Sequence, residues 1–217
     1  MIIVSGGIKG GSGKSTLAVN LAIMLAAEKR DVLLVDADDQ ESASDFTILR
    51  NENLEDAGYT CISLRGKAIR TEVLRQKGKY TDIVIDCGGR DTTNQRAALS
   101  VADVYLIPFV PRSFDVWTLD QVDHLVEEMQ SVNDALQSFI VLNRADPAGH
   151  DNDDAISYFG EYPNLKYLDA PIGNRKAFAQ AASKGRAVVE YTPRDQKAID
   201  EIGKLYDLVK EMRMISQ

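Results

Sequence analysis

Histidine and cysteine are scarce here, with two of each in 217 residues, and tryptophan occurs once. Cys61 and Cys87 make no C-x-x-C pair and have no histidine set beside them, which argues against a metal cage or a disulfide framework. Long apolar runs are missing too. No stretch is long enough to span a bilayer, and the N-terminus enters a strand directly with no cleavable signal, so a cytoplasmic location is expected. Positive charge is in deficit: 25 Lys and Arg stand against 33 Asp and Glu, a formal net charge of −8. A protein that coats DNA constitutively is usually basic, so that class is disfavoured, although a basic patch assembled by dimerisation is compatible with this balance. Repeats, low-complexity tracts and linkers are absent. What is present, 44% hydrophobic and 27% charged residues, suits one globular domain over residues 1–217.

The informative stretch comes first. Ile2-Ile3-Val4 is a short apolar run, Gly6 to Gly13 is rich in glycine, and an amphipathic segment starts near Ser15. A strand, a glycine loop and a helix in that order make a phosphate site: glycines let backbone N–H groups converge on an anion, and the helix N-terminus adds its dipole. Gly10, Gly11, Ser12, Gly13, Lys14, Ser15 and Thr16 are the nucleotide-binding candidates, with Lys14 reaching the β- and γ-phosphates and the Ser15 hydroxyl on Mg²⁺. The general pattern G-x-x-x-x-G-K-[ST] asks for glycine where this chain has Ile8; a second lysine, Lys9, follows instead.

Two other acidic strand ends accompany the loop. Val32-Leu33-Leu34-Val35 runs into Asp36-Ala37-Asp38-Asp39-Gln40, and Asp82-Ile83-Val84-Ile85-Asp86 ends beside Gly88-Gly89. Unbroken aliphatic runs suit parallel strands buried on both faces, and carboxylates at their C-terminal ends lie on the rim where open α/β sheets bind ligands. Asp36 and Asp38 fall on one side of an extended chain. Asp86 with its glycines has the Walker B arrangement, in which the aspartate helps hold Mg²⁺.

The Lys9-Gly10-Gly11 … Lys14-Ser15 box resembles the deviant Walker A box of the ParA/MinD family of ATPases, and the resemblance covers most of the chain. It implies an α/β P-loop NTPase with three layers: a mostly parallel twisted sheet carrying helices on both faces. ATP and Mg²⁺ are the implied cofactors. Lys9 would cross a dimer interface to the partner's phosphates, Asp36 would stay near the Mg²⁺ water shell with Ser15 and Asp86, and Asp38 would position the attacking water. Lys9, Lys14 and Asp38 are therefore the catalytic candidates. Relatives often have proline in place of Asp39 and prolines in place of Gly88-Gly89, so these loops are expected to differ in shape. By the same resemblance Asn143 contacts adenine, a turn-forming role being the equal alternative, and Pro171-Ile172-Gly173 runs past the base.

Short ParA proteins supply the functional expectation. An ATP-bound homodimer binds nonspecific double-stranded DNA on the nucleoid, and a small centromere- or cargo-binding partner stimulates slow hydrolysis and release, segregating plasmid or chromosome DNA. A protein compartment as cargo would look the same in sequence. Basic residues of Arg175 to Arg186 are the implied DNA contacts: Arg175, Lys184 and Arg186. The denser cluster from Arg65 to Lys79 reads first as a solvated helix face. A membrane-cycling division-site regulator would need a cationic amphipathic tail, whereas the last helix mixes Asp200, Glu201, Asp207 and Glu211 with its lysines. A ligase for a small molecule would need its own acidic or histidine cluster, and an iron–sulfur electron donor a cysteine pair; neither is visible.

Elsewhere the pattern predicts a helix closed by Lys29-Arg30, strands at Tyr59–Ser63, 104–107, 138–144 and 165–168, and an acidic loop from Asp146 to Asp154. Helices are expected from Ser113, with Trp117 and Met129 in the core, and from Thr192-Pro193, which offers a capping hydroxyl and a first-turn proline.

Overall fold

The computed structural model describes residues 1–111, 116–147 and 150–215. Strands and helices alternate: β1 (Ile2–Ser5), α1 (Lys14–Ala27), β2 (Val32–Ala37), α2 (Ser42–Leu54), β3 (Thr60–Ser63), α3 (Lys67–Gln76), β4 (Asp82–Cys87), α4 (Thr93–Leu99), β5 (Val104–Phe109), α5 (Val116–Gln130), β6 (Gln137–Ala145), α6 (Asp151–Phe159), β7 (Lys166–Gly173), α7 (Lys176–Ala182) and α8 (Gln196–Ile215). The seven strands form one sheet in the order β3-β2-β4-β1-β5-β6-β7, and every pairing is parallel.

Each central strand is buried along its length, and alternate residues feed two cores. Ile3, Leu34, Val84, Leu106 and Val141 point to one, packed under α1, α2, α7 and α8. Ile2, Leu33, Val35, Ile85, Tyr105 and Ile140 point to the other, covered by α3 to α6. The expected three layers result from this two-residue alternation between two apolar faces.

The register sets the C-terminal rim. Ser63, Asp36, Asp86 and Ser5 are aligned across β3, β2, β4 and β1. Two carboxylates thus stand on adjacent strands directly below the glycine loop.

Four expectations about elements need correction. α1 stops at Ala27; Lys29 turns left-handed with φ 60°, and Arg30 leaves the helix to bond Asp82 at 2.6 Å. The acidic loop is helical from Asp151, because Asp151, Asp153 and Asp154 occupy the first turn of α6, where carboxylates favour a helix N-terminus. β7 runs through Pro171 to Gly173; a proline is tolerated on this edge strand. α8 begins at Gln196, since the Asp195 carboxylate accepts the Ala198 N–H at 3.1 Å and caps the helix in place of Thr192. Thr92 caps α4 as expected, and Met129 is in the core. The Trp117 side chain and the Ser113 helix start lie outside the described residues.

Candidate functional site

The loop between β1 and α1 wraps back over the sheet edge. Gly13 sits at φ 99°, and a side chain there would collide with the Asn143 amide. That amide donates to the Ser12 carbonyl, so Asn143, at the end of β6, fastens the loop from beneath. Base contact was the expected role of Asn143; loop tethering is a role that only the folded chain reveals. Pro171 lies on the neighbouring strand, where Ile172 is in register with Asn143.

Lys14 is 5% exposed and donates through Nζ to the Lys9 carbonyl at 2.9 Å. Burial lowers its pKa, and the carboxylates of Asp86 and Asp38 pull it back toward its ordinary value. Lys9 itself is exposed on the outer rim.

Each acidic candidate is held differently. Asp36 is fully buried, and its two oxygens accept the N–H groups of Asp38 (3.1 Å) and Ser44 (2.8 Å), so it shapes the turn and supports the start of α2. The Asp38 carboxylate takes the Gln40 N–H at 3.1 Å and reaches Gly88, where an added Cβ would stand 3.0 Å from Oδ1. Asp86 is buried with both oxygens lacking a hydrogen-bond partner. Burial pushes its carboxyl up to about 7; the Ser15 hydroxyl is near enough to oppose the shift. A buried carboxylate with two orphaned oxygens is costly unless a cation meets it.

Those orphaned oxygens are the feature that fits Mg²⁺. Among the described residues no set of three or more His, Cys, Asp or Glu side chains forms a metal cage. Mg²⁺ commonly takes one or two protein ligands and completes its shell with water and phosphate, so Asp86 and Ser15 suffice for it.

Sequence reasoning missed the connections between these pieces. Gly89 lies directly on the loop: a Cβ there would come 2.7 Å from the Gly10 nitrogen and 2.8 Å from the Lys9 carbonyl carbon. Gln95 is buried on α4, its amide set to donate to the carbonyls of Gly7 (3.1 Å) and Gly88 (3.2 Å) and to accept the Tyr105 hydroxyl (3.0 Å). Asn94 donates to the Ala37 carbonyl at 3.0 Å and accepts the Gly66 N–H at 2.7 Å. Close glycine spacing hinted at the first of these; the two amides gave no sequence signal.

Together these elements border a cleft of about 640 Å³ lined by Gly10, Gly11, Gly13 to Thr16, Asp38, Gly88-Gly89, Asn94 and Arg144. It can admit a phosphorylated ligand. The DNA candidates lie elsewhere. Arg175 makes a two-pronged pair with Glu201, while Lys184 and Arg186 line a separate surface hollow with Asn53, Glu190 and Tyr191.

Residues 2–188 match the family model described as the CobQ/CobB/MinD/ParA nucleotide binding domain. A maintenance of carboxysome distribution protein A from Gloeobacter kilaueensis is 30% identical over 184 residues, covering 84% of this chain and 81% of the relative. The chromosome partitioning protein ParA of Caulobacter vibrioides is 27% identical over 228 residues, covering 84% of each. Among solved structures, an ATP complex of a Cyanothece McdA variant superposes with a TM-score of 0.78 at 20% identity, over 100% of this chain and 97% of that one. The fold agrees with the site: this chain belongs to the CobQ/CobB/MinD/ParA nucleotide-binding domain family.

Proposed function

We propose that this protein is a ParA-type ATPase that binds ATP with Mg²⁺ and closes as a homodimer around two nucleotides. In that state it holds nonspecific double-stranded DNA, and it lets go after hydrolysis stimulated by a small centromere- or cargo-binding partner. One observation carries the reading: a single cleft is lined by the phosphate loop, Lys14 and Asp38 facing Gly88, and the orphaned Asp86 carboxylate is buried close to its Ser15 and Lys14.

Phosphoryl transfer asks a protein mainly for positioning and charge stabilisation. The loop N–H groups and Lys14 cradle the phosphates, and Asp86 and Ser15 would hold Mg²⁺, which would supply neutralisation of the charge that develops on transfer. Asp38 orients the attacking water. Asn143, already fastened to Ser12, keeps its amide oxygen toward the base, with Pro171 alongside. Lys9 meets the partner's phosphates, so nucleotide becomes the adhesive: a cation taken into an interface needs that anion to offset its desolvation. DNA contact rests on Lys184 and Arg186, with Arg175, paired to Glu201, as the third candidate. Nucleoid association in the ATP state follows.

The cargo has two readings. Plasmid or chromosome DNA accords with the Caulobacter relative; a protein compartment accords with the carboxysome-distribution relative. A membrane role fits less well, because α8 buries Ile202, Leu205 and Val209 in the core and pairs Lys204, Lys210 and Arg213 with Asp169, Glu28 and Asp82.

Fluorescence anisotropy of a random-sequence duplex, with ATP, ADP or neither, tests the switch. Binding should require ATP, vanish in Lys9→Ala and weaken with salt. ATP-dependent dimers that leave DNA free in every state would reject the DNA tether, and absence of ATP-dependent dimers would reject the nucleotide switch.

A further inference from the structure

Arg65 lies between β3 and α3, in the segment that sequence alone reads as a solvated basic face. Its guanidinium instead bonds the loop that carries Asp38. Nη1 donates to the Asp36 carbonyl at 2.7 Å and Nη2 to the Asp38 carbonyl at 2.6 Å. Its Nε stands 3.3 Å from the Asp39 carboxylate, and Nη2 stands 3.2 Å from that of Glu41. The carbonyl in between, that of Ala37, is held by Asn94, which also takes the N–H of Gly66 next to Arg65. Three consecutive carbonyls are thus each gripped by a side chain from outside the loop.

Asp38 opens a β-turn: the Glu41 N–H returns to the Asp38 carbonyl at 3.0 Å, and Glu41 has φ 51°. Asp39 occupies the second position of that turn. Proline often rigidifies this position by fixing φ. Among the described residues nothing accepts the Asp39 N–H, so the turn has neither that ring nor a bond of its own there. The acidic side chains are largely exposed, 79% for Asp39 and 58% for Glu41, and such ion pairs contribute little by themselves. The two bonds to carbonyls are the strong ones, being charge-assisted and forked.

We propose that Arg65 is a positioning residue for hydrolysis: it fixes the backbone on both sides of Ala37 so that the Asp38 carboxylate stays aimed at Gly88 and the cleft. The proposal rests on the reading of Asp38 as the residue that orients water. Catalytic groups lose rate when displaced by about 1 Å, whereas ground-state binding made by other residues does not.

The test measures ATP turnover, equilibrium binding of a fluorescent ATP analogue and Tm for wild type, Arg65→Ala, Arg65→Lys, Asp38→Ala and the double variant Arg65→Ala/Asp39→Pro. Arg65→Ala should lower kcat about ten- to a hundredfold while analogue affinity stays at the wild-type value. Arg65→Lys should fall between, and the added proline should recover much of the loss by presetting the turn. If Arg65→Ala turns over like wild type while Asp38→Ala is inactive, the positioning role is wrong. An Arg65→Ala variant that loses analogue affinity in step with kcat, with no recovery from lysine or proline, overturns it too. Asp38→Ala with wild-type turnover would instead remove the reading beneath it. Should Arg65→Ala fail to fold, Arg65→Lys carries the test: a lowered kcat at wild-type affinity supports positioning, and unchanged kcat overturns it.

Discussion

At the scale of single residues, most of what matters in the cleft is contact that sequence cannot display. Lys14, Ser15, Asp38 and Asp86 were legible because their spacing relative to apolar runs is a local property. The tethering by Asn143 and the bridging by Asn94 and Gln95 were not, since each joins segments far apart in the chain. Gly89 makes the point testable. A Cβ added at Gly89 would stand 2.7 and 2.8 Å from backbone atoms of Gly10 and Lys9, whereas one added at Gly78 would meet nothing within 4 Å. Gly89→Ala should weaken binding of an ATP analogue by about tenfold or more through displacement of the loop, and Gly78→Ala should leave it unchanged. Equal affinities in the two variants would refute the close packing.

Asp86 has its own pH signature. Its carboxyl titrates near 7 in the fold, against an ordinary 3.8. The native state then holds a proton that the unfolded chain has lost between those values, so the stability of nucleotide-free protein falls as pH rises through that window. Asp86→Asn keeps the shape without the charge. Thermal melts without Mg²⁺ should show the variant gaining on wild type from pH 4 to 7, with the gap level above that. A constant gap across the range would contradict an orphaned carboxylate.

At the scale of elements, central strands were readable because burial on both faces leaves an unbroken aliphatic run. Ends were harder. α6 hid in a stretch whose polar composition resembles a loop, and α8 was placed too early because Thr192-Pro193 has the chemistry of a helix start while Asp195 supplies the working cap. Nor did the sequence reveal how α2 is tied to the segment after α7. Arg50 is 6% exposed and reaches the carbonyls of Ala57 (2.8 Å) and Gly185 (2.9 Å), besides pairing with both oxygens of Glu190 at 2.7 and 2.8 Å. Removing Arg50 leaves the two carbonyls without it and Glu190 with only the Ala187 N–H among the described residues. Arg50→Ala should cost about 3 kcal/mol in urea unfolding; a cost below about 1 kcal/mol would place the pair among ordinary surface bridges.

At the scale of the whole molecule, a net charge of −8 opposes any polyanion. The proposed DNA binding should therefore depend on a few clustered cations and fall steeply between about 50 and 200 mM salt, whereas basal ATP turnover, governed by the charges within the cleft, should change little. Parallel loss of both activities with salt would mean that hydrolysis itself requires the DNA-bound state. The resemblance to a nucleotide-driven family was legible at the chain's first fifteen residues; the hollow that brings Lys184 and Arg186 together with Asn53 was not, because it joins segments far apart in the chain.

The meeting of Gly89 with Lys9 and Gly10 has a mechanical meaning. Two stretches of bare main chain lie against each other there, like gear teeth without lubricant. The contact is steric, and the Lys9 carbonyl within it also accepts the Lys14 ammonium. Occupancy of the phosphate loop would reach the segment following Asp86 as a shift of main chain against main chain.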